Sequence, residues 1–282
     1  LRTPLNSILI LARILKENKP DNLNEDQVKY AGVIQNAGTD LLNLINDILD
    51  LSKIESGKID LTIEKVTPQD VKRDMEALFT EVAKNKKIKF EVDLSPEFPN
   101  NFTTDVGRLE QIIKNLLSNA FKFTPEQGTV TVRLAKAAES TPFYSNQLKA
   151  HKNTILIIEV KDTGIGIPVQ KQNIIFEAFQ QADGSTSRKY GGTGLGLSIS
   201  KELANILGGE IQIKSEQNVG STFTLFIPQH LEIDPDSEQL VVVAPPVVTP
   251  ITFTQPLKIN PDKNTLLIVE DDLNFAEILK NY

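Results

Sequence analysis

The chain has 282 residues, which is enough for about two domains, and apolar residues make up 40% of it. Its 30 basic and 37 acidic residues give a net charge of −7, which argues against a nucleic-acid-binding protein because such proteins carry a basic excess. There is no Cys, there are only two His, and no apolar run approaches the roughly 20 residues that span a bilayer, so disulfides, thiolate sites, His-rich metal centres and a membrane span are excluded.

Residues 1–56 predict two helices. Apolar residues recur at helical spacing in the first, which is expected to end near Asn18: Leu5, Ile8, Leu9, Ala12 and Leu15. The second is expected to begin after Asn24, a suitable N-cap, and carries a heptad stripe: Ile34, Ala37, Leu41, Leu44, Ile48 and Leu51. A hairpin cannot bury so broad a stripe alone. It either packs on the following domain or dimerises into a four-helix bundle, and we favour the dimer.

Residues 57–230 mix strand-like and helix-like patterns in one unit. The strand-like runs are Lys58–Glu64, Lys87–Leu94, Gly128–Leu134, Thr154–Lys161, Gly209–Ser215 and Ser221–Pro228. The helix-like runs are Pro68–Asn85, Gly107–Lys122 and Thr193–Leu207. Strands and helices that interleave in this way predict an α/β sandwich.

Three further segments differ in character from this unit. Residues 135–153, rich in Ser, Thr, Asn and Lys, predict an exposed hairpin insertion between two strands. Residues 231–263 predict an extended linker because they hold six of the chain's 15 prolines: Pro235, Pro245, Pro246, Pro250, Pro256 and Pro261. Residues 264–282 begin with a buried-type strand that ends in three acids, and predict the start of another α/β domain.

Two glycine-rich runs suggest an anion site: Asp162-Thr-Gly-Ile-Gly-Ile-Pro and Gly191-Gly-Thr-Gly-Leu-Gly-Leu-Ser. Glycine lets backbone N–H groups approach phosphate oxygens closely, and the second run opens into a helix whose N-terminus can hold an anion. Either run alone is also typical of a turn. Neither completes G-x-G-x-x-G, because Val169 and Ile199 stand at the third glycine, and no G-x-x-x-x-G-K-[ST] is present. A nucleotide would therefore bind in another class of site.

A polar helix face adds a third element. Asn115, Asn119 and Lys122 are spaced i, i+4 and i+7 and share one face. Two amide oxygens and an ammonium suit a Mg²⁺–phosphate cluster, because Mg²⁺ takes few protein ligands. Taken alone, the same pattern indicates a polar stripe that faces solvent.

In this order, the motifs resemble the catalytic ATP-binding domain of sensor histidine kinases, within the GHKL family that includes gyrase, Hsp90 and MutL. The motifs are Asn-x-x-x-Asn-Ala-x-Lys-Phe, Asp-x-Gly-x-Gly-Ile, Phe176-Glu-Ala-Phe179 and Gly-x-Gly-Leu-Gly-Leu. The opening Leu-Arg-Thr-Pro-Leu resembles the end of that family's H box, and Ile-Val-Glu-Asp-Asp resembles the first strand of a receiver domain. The chain is thus similar to a hybrid histidine kinase core: an α-helical hairpin that is half of a dimeric four-helix bundle, a GHKL-type α/β sandwich and the start of an α/β receiver.

The resemblance implies an adenine pocket. Asp162 would accept a hydrogen bond from the exocyclic amine of the base, and Gly164 and Gly166 would let the chain turn against it. Thr222 matches the position that reaches the same edge through water, and Phe123 would pack on the nucleoside.

It also implies the phosphate and metal contacts. Asn119 matches the Mg²⁺ ligand, Asn115 would lie near the metal and the γ-phosphate, and Lys122 would neutralise phosphate charge. The phosphates would be held from the end of a lid, Gln180–Tyr190, by Gly192, Gly194, Leu195 and Gly196. Arg188 or Lys189 would meet the γ-phosphate, and Phe176 and Phe179 would anchor the lid.

The implied reaction is transfer of the γ-phosphoryl group of MgATP to a His and then to an Asp of a receiver domain. In this family the accepting His stands two places before the Leu of Leu-Arg-Thr-Pro, so it is expected just upstream of Leu1. The receiver Asp is expected well past the first strand. Thr3, four places after that His, matches a position that bears on dephosphorylation. His151 and His230 are interpreted as surface residues.

Two alternatives remain at this point. A degenerate kinase could bind ATP as a regulatory or scaffold module. An ATPase of the gyrase or Hsp90 type is disfavoured, because Asn115 stands where those enzymes use a Glu general base. The partners implied by the resemblance are a second copy bound through the hairpin, a receiver domain and an upstream sensor domain. No nucleic acid or membrane contact is expected of this chain, and its expected location is cytoplasmic.

Overall fold

The computed structural model describes residues 2–19, 21–150, 154–180 and 193–231. The linker and receiver start expected over residues 232–282 lie outside these ranges, as do most of the expected lid and His151.

The N-terminal part is the expected helical hairpin. Helix α1 spans Arg2–Glu17 and α2 spans Glu25–Glu55. Pro4 falls in the first turn of α1, where its missing N–H costs nothing. Asn24 caps α2 through a capping box: its side chain accepts from the Gln27 N–H at 2.9 Å, and the Gln27 side chain accepts from the Asn24 N–H at 3.0 Å. Both predicted helix boundaries are confirmed.

The hairpin packs on the following domain at one end only. Ile54 is buried, and Leu44 and Leu51 pack against the same core as the α/β part. Most other large apolar side chains of the hairpin remain exposed: Ile8, Ile10, Leu11, Ile14, Leu15, Val33, Ile34, Leu41, Ile48 and Leu49. The two interpretations of the apolar stripe are therefore compatible, because the last turns of α2 pack within the chain and the rest leaves an apolar surface.

The rest of the chain forms the expected α/β sandwich. Its helices are α3 (Pro68–Lys86), α4 (Val106–Phe123), the short α5 (Asn146–Ala150) and α6 (Gly196–Ile206). Its strands are β1 (Ile63–Val66), β2 (Lys89–Leu94), β3 (Phe102–Asp105), β4 (Thr129–Lys136), β5 (Ile155–Asp162), β6 (Glu210–Glu216) and β7 (Gly220–Pro228). Five strands form one sheet in the order β2-β4-β5-β7-β6, in which only β2 and β4 are parallel.

One face of this sheet carries α3, α4 and α6, and the core lies between. Helix α4 supplies four side chains that are at most 1% exposed: Leu109, Ile112, Leu116 and Leu117. Phe79 of α3 stacks on Phe121 of α4 with ring centroids 5.4 Å apart. Alternate residues of β5 and β7 point into this layer, so Asp162 at the end of β5 also belongs to the helix-covered face.

The first expected strand was misplaced. Residues 58–62 are not a strand, and β1 begins only at Ile63, where it pairs with β3 in a separate two-stranded ribbon. The Asp105 carboxylate, at the end of β3, accepts from the Thr62 N–H at 2.8 Å and ties the two strands together. Strand β3 was not predicted, because four residues are too short to show an alternating pattern.

The insertion is more ordered than its composition suggested. Residues 135 and 136 extend β4, and Phe143 and Leu148 are buried with Ile155 and Phe226 on the face of the sheet that the other helices leave open. The Glu210 carboxylate accepts from two backbone N–H groups of the insertion, the closer at 2.6 Å. The prediction of an exposed insertion is therefore wrong for its second half, which forms a small apolar cluster.

This packing predicts that Leu148→Ala destabilises the protein by about 2–5 kcal/mol, because it removes a fully buried side chain. The matched control is Tyr144→Ala in the same insertion, where a side chain that is 77% exposed should change stability by less than about 0.5 kcal/mol. Urea denaturation measures both. Equal effects of the two changes would contradict a packed insertion.

Candidate functional site

A buried carboxylate lies at the C-terminal end of β5. Asp162 is 6% exposed, and its Oδ1 accepts a hydrogen bond from the Gly164 N–H at 2.8 Å. Burial raises the pKa of Asp162, and hydrogen bonds from the backbone N–H groups of Gly164 and Ser221 partly offset that rise. A carboxylate kept in this position at a cost in free energy is typical of a binding site.

The loop after Asp162 passes unusually close to its neighbours. A Cβ at Gly164 would lie 2.5 Å from the Phe123 carbonyl oxygen, which also accepts from the Ile165 N–H at 3.3 Å. Gly166 has φ = +64°, and a Cβ there would overlap the Glu216 carbonyl oxygen. Gly164 thus brings the end of α4 beside the buried carboxylate, and Gly166 brings the loop against the end of β6.

The end of α4 presents the three polar residues predicted from the sequence. Asn115, Asn119 and Lys122 are all half-buried on this helix. Lys122 Nζ lies 4.9 Å from the centroid of the Phe123 ring, and burial lowers the pKa of its ammonium. An ammonium without full hydration beside an aromatic ring is suited to an anionic ligand.

Asn115 links α4 to the second glycine run. Its Nδ2 donates to Ser200 Oγ of α6 at 2.8 Å, and Ser200 is 1% exposed. A Cβ at Gly196 would overlap Asn115 Oδ1, so the start of α6 can lie here only without a side chain. Leu195 is fully buried just before the helix, and Gly194 has φ = +71°. The N-terminus of α6 is therefore held next to the polar end of α4.

Thr222 is not placed as expected. It pairs with Lys161 of β5 and Lys214 of β6, and so lies on the opposite face of the sheet from Asp162. Ser221 is the residue directly opposite Asp162, and it is 6% exposed on the same face. The predicted role therefore fits Ser221, one position earlier in Gly220-Ser-Thr-Phe.

The other predicted residues are placed only in part. Gly192 and Arg188 lie outside the described residues, and of Thr3 only the backbone, in the first turn of α1, is described. Phe176 packs against the core with its ring 6.3 Å from that of Phe223, whereas Phe179 is 63% exposed. His230 is an exposed residue, as interpreted.

Two contacts were missed by sequence reasoning. One is the Ser200 hydroxyl that fixes Asn115, and the other is a hydrogen bond from Thr193, beside Gly194, to Asp47 of α2. Residue spacing gave no signal for either, because each joins segments far apart in the chain. In the ranges that the structure covers, no three His, Asp or Glu side chains are grouped as a metal cluster.

Comparison with known families agrees with this architecture. Residues 104–231 match the family described as histidine kinase-, DNA gyrase B- and HSP90-like ATPase. Residues 1–57 match the His Kinase A (phospho-acceptor) domain. This chain belongs to the sensor histidine kinase family. The two matched segments, in this order, are the helical hairpin and the GHKL-type ATP-binding domain of such a kinase. The expected hairpin and α/β sandwich are therefore confirmed, whereas the dimeric bundle and the receiver start stay predictions.

Individual kinases are similar over most or all of the chain. The autoinducer 2 sensor kinase/phosphatase LuxQ of Vibrio vulnificus is 39% identical over the whole chain, and the circadian input-output histidine kinase CikA of Synechococcus elongatus is 41% identical over 83% of it. The chain spans 30% and 29% of these two relatives. The crystal structure of full-length ShkA in complex with AMPPNP is 30% identical, with a TM-score of 0.65 over 83% of this chain and 45% of ShkA.

Among the residues that the structure describes, no helix is both long and apolar enough to cross a membrane.

The buried carboxylate predicts a pH-dependent effect of Asp162→Asn on stability. A pKa raised by folding means that the folded protein binds a proton more readily than the unfolded chain, so the wild type gains stability as the pH falls through that pKa. The amide keeps the Oδ1 acceptor but carries no charge. We expect the variant to be more stable than the wild type at neutral pH, and the difference to shrink as the pH falls towards about 4, the ordinary aspartate value.

Chemical denaturation of the unliganded proteins across this pH range measures the difference. The exposed Asp60→Asn is the matched control for removal of one charge. A stability difference at Asp162 that stays constant with pH would show that burial of the charge is not its cause.

Proposed function

We propose that this chain binds MgATP between the loop after β5, the end of α4 and the start of α6, as the ATP-binding core of a protein-histidine kinase. The observation that carries the proposal is the convergence of the buried Asp162, the polar face of α4 and the N-terminus of α6. The ShkA structure, in complex with AMPPNP, supports it through its similarity to this chain. Because the chain spans under a third of its curated relatives, the activity of the whole protein is part of the proposal.

Asp162 would select adenine. Its carboxylate can only accept hydrogen bonds at neutral pH, so it pairs with the exocyclic amine of adenine and disfavours a base with a carbonyl in that position. Gly164 and Gly166 would let the loop turn against the base, because they allow it to pack on the Phe123 and Glu216 carbonyls. Ser221, opposite Asp162, would bind the same edge through water. Phe123 would pack on the nucleoside.

The phosphates would lie between α4 and α6. The first N–H groups of α6, at Leu195 and Gly196, have no helical partner and can bind phosphate oxygens. Lys122 would balance the negative charge of the phosphates, and Asn115 would lie near the γ-phosphate. The Asn119 amide oxygen fits Mg²⁺, which accepts one or two protein oxygens and completes its shell with phosphate and water. When bound, Mg²⁺ would neutralise phosphate charge. Gly192 and either Arg188 or Lys189 remain proposed contacts.

The reaction would be transfer of the γ-phosphoryl group to a His imidazole, which is neutral and nucleophilic near pH 7. Such a transfer depends mainly on positioning and on neutralisation of charge. The residues above supply both for the donor. Asn115 cannot take a proton from water, which favours transfer to the His over hydrolysis. The accepting His is proposed two positions before Leu1, and Thr3, one helical turn after it, is proposed to bear on dephosphorylation.

The partners follow from the same assignment. The exposed apolar face of the hairpin is proposed to bind a second copy, which would complete a four-helix bundle. A receiver Asp would take the phosphoryl group from the His, and an upstream sensor domain would set the activity. The domain bounds proposed are 1–56, 57–230, 231–263 and 264–282.

The nucleotide assignment predicts distinct effects for two variants. Asp162→Asn should weaken ATP and adenosine binding alike by at least about tenfold, because the amide replaces one acceptor with a donor. Asn119→Ala should weaken binding of MgATP but leave that of adenosine unchanged. Calorimetric titration measures both, and the matched control is Ser118→Ala, which changes an exposed neighbour on the same helix. Equal ATP affinity in Asp162→Asn would contradict the adenine assignment.

Transfer is tested with a chain extended upstream through its natural residues. Incubated with γ-labelled ATP, the extended chain should acquire an acid-labile, base-stable label, and the 282-residue chain should not. ATP binding without label on the extended chain would instead support a module that binds ATP for a regulatory role.

A further inference from the structure

The hairpin contacts the proposed phosphate site directly. Thr193 Oγ1 donates to Asp47 Oδ2 of α2 at 2.9 Å, although the two residues are 146 positions apart. Thr193 lies between Gly192 and Gly194, two of the proposed phosphate-binding residues. A carboxylate of the hairpin is thus hydrogen-bonded to a side chain of the loop that would hold the phosphates.

The same hydroxyl also occupies an amide of that loop. Thr193 Oγ1 accepts from the Leu195 N–H at 3.2 Å while it donates its only proton to Asp47. The Leu195 N–H is one of the groups at the start of α6 that are left without a helical partner. With α2 docked, the Leu195 N–H therefore donates to Thr193 Oγ1, whose own proton goes to Asp47, and is not left for a phosphate oxygen.

A second carboxylate helps to fix the arrangement. Asp50, one turn after Asp47, accepts from Gln111 Nε2 of α4 at 2.8 Å, and Gln111 Oε1 accepts from Arg108 at 3.1 Å. Leu51 and Ile54 of the same helix pack into the core. Helix α2 is thus held on the domain by apolar contacts and by Asp50, and these keep Asp47 at the loop.

The surroundings of Asp47 make its charge effective. Asp47 is half-buried, and burial raises the pKa of its carboxyl, as does the nearby Asp50, while the Thr193 hydrogen bond lowers it. A half-buried charge is screened less by water and salt than an exposed one. Triphosphate oxygens at the start of α6 would meet this like charge at short range.

We propose that Asp47 is an electrostatic brake on the nucleotide site: while α2 is docked, its carboxylate holds Thr193 and opposes the phosphates of ATP. Binding of the triphosphate and release of Thr193 from Asp47 then favour each other. By linkage, a movement of α2 that withdraws Asp47 raises ATP affinity by the same factor as ATP binding favours that movement. Asp47 acts here as a positioning residue, because it touches the loop and not the reacting atoms. The inference rests on the proposed function, since it assumes that phosphates bind at this loop.

The test compares nucleotides with different numbers of phosphates. Asp47→Asn keeps the shape of the side chain and removes its charge, and we expect it to tighten MgATP binding by about three- to tenfold. ADP should gain less, and the affinity for adenosine should stay within about twofold of the wild type. Asp40→Asn is the matched control, because it removes the same charge from an exposed position of the same helix. Calorimetric titration of the 282-residue chain gives all the affinities.

The outcomes separate the brake from the binding site. A gain that rises from adenosine to ADP to ATP for Asp47→Asn, and exceeds that of Asp40→Asn, supports the brake. An equal change for all three ligands, or no change, overturns it while adenosine binding keeps the proposed function intact. Failure of the wild type to bind adenosine and ATP overturns both.

Amide hydrogen exchange gives an independent readout that does not need a variant. Saturating MgATP should raise exchange in α2 around Asp47, because the docked contact is released, whereas saturating adenosine should not. Protection of this segment by MgATP would overturn the brake, since it would show that the triphosphate strengthens the docked arrangement.

Discussion

The close approach of α4 and α6 determines the geometry of the site. It depends on position 196 having no side chain, because the Asn115 amide occupies the space where a Cβ would stand. The Ser200 hydroxyl takes the amide N–H₂ of Asn115 and so leaves its oxygen towards the start of α6. Leu195, fully buried, anchors that start in the core. The packing of α6 against α4 therefore positions the N-terminus of α6.

Electrostatics gives the site a second property. Burial moves the pKa of Asp162 up and that of Lys122 down, so each group is shifted towards its neutral form. Both charges therefore cost free energy in the folded protein. A ligand that offers an N–H donor to Asp162 and anionic oxygens to Lys122 recovers part of that cost on binding. Asp162 requires a hydrogen-bond donor and Lys122 requires an anion. A molecule with a base at one end and phosphates at the other supplies both.

Local patterns predicted what local sequence determines. The helix pattern located α4 within one residue of its observed ends, and the Asn24 cap located the start of α2. Asp162, Gly164, Asn115 and Gly196 were recognised from motifs whose spacing is fixed within one turn or loop. The structure brings these separate motifs together, as their order in the chain suggested.

The errors have physical causes too. The prediction for Thr222 is wrong because pairing with neighbouring strands decides which face a strand residue occupies. The sequence does not show that pairing, and a shift of one residue reverses the face. The composition of the insertion predicts exposure because its polar residues outnumber Phe143 and Leu148, the two buried side chains that pack it on the sheet. The contact of Asp47 with Thr193 joins two elements distant in sequence, so only the folded chain shows it.

Helix α2 presents two different faces, and this relates the hairpin to the nucleotide site. Leu44, Asp47, Leu51 and Ile54 follow the 3–4 spacing of one face, which lies on the ATP-binding domain. Ile34, Leu41 and Ile48 are spaced by seven, remain exposed and form the face proposed for a second copy. Because the two faces belong to one helix, a rotation of α2 within the proposed bundle would also move Asp47 relative to Thr193. A signal that reaches the bundle from outside this chain would then reach the phosphate loop without any change in the ATP-binding domain itself.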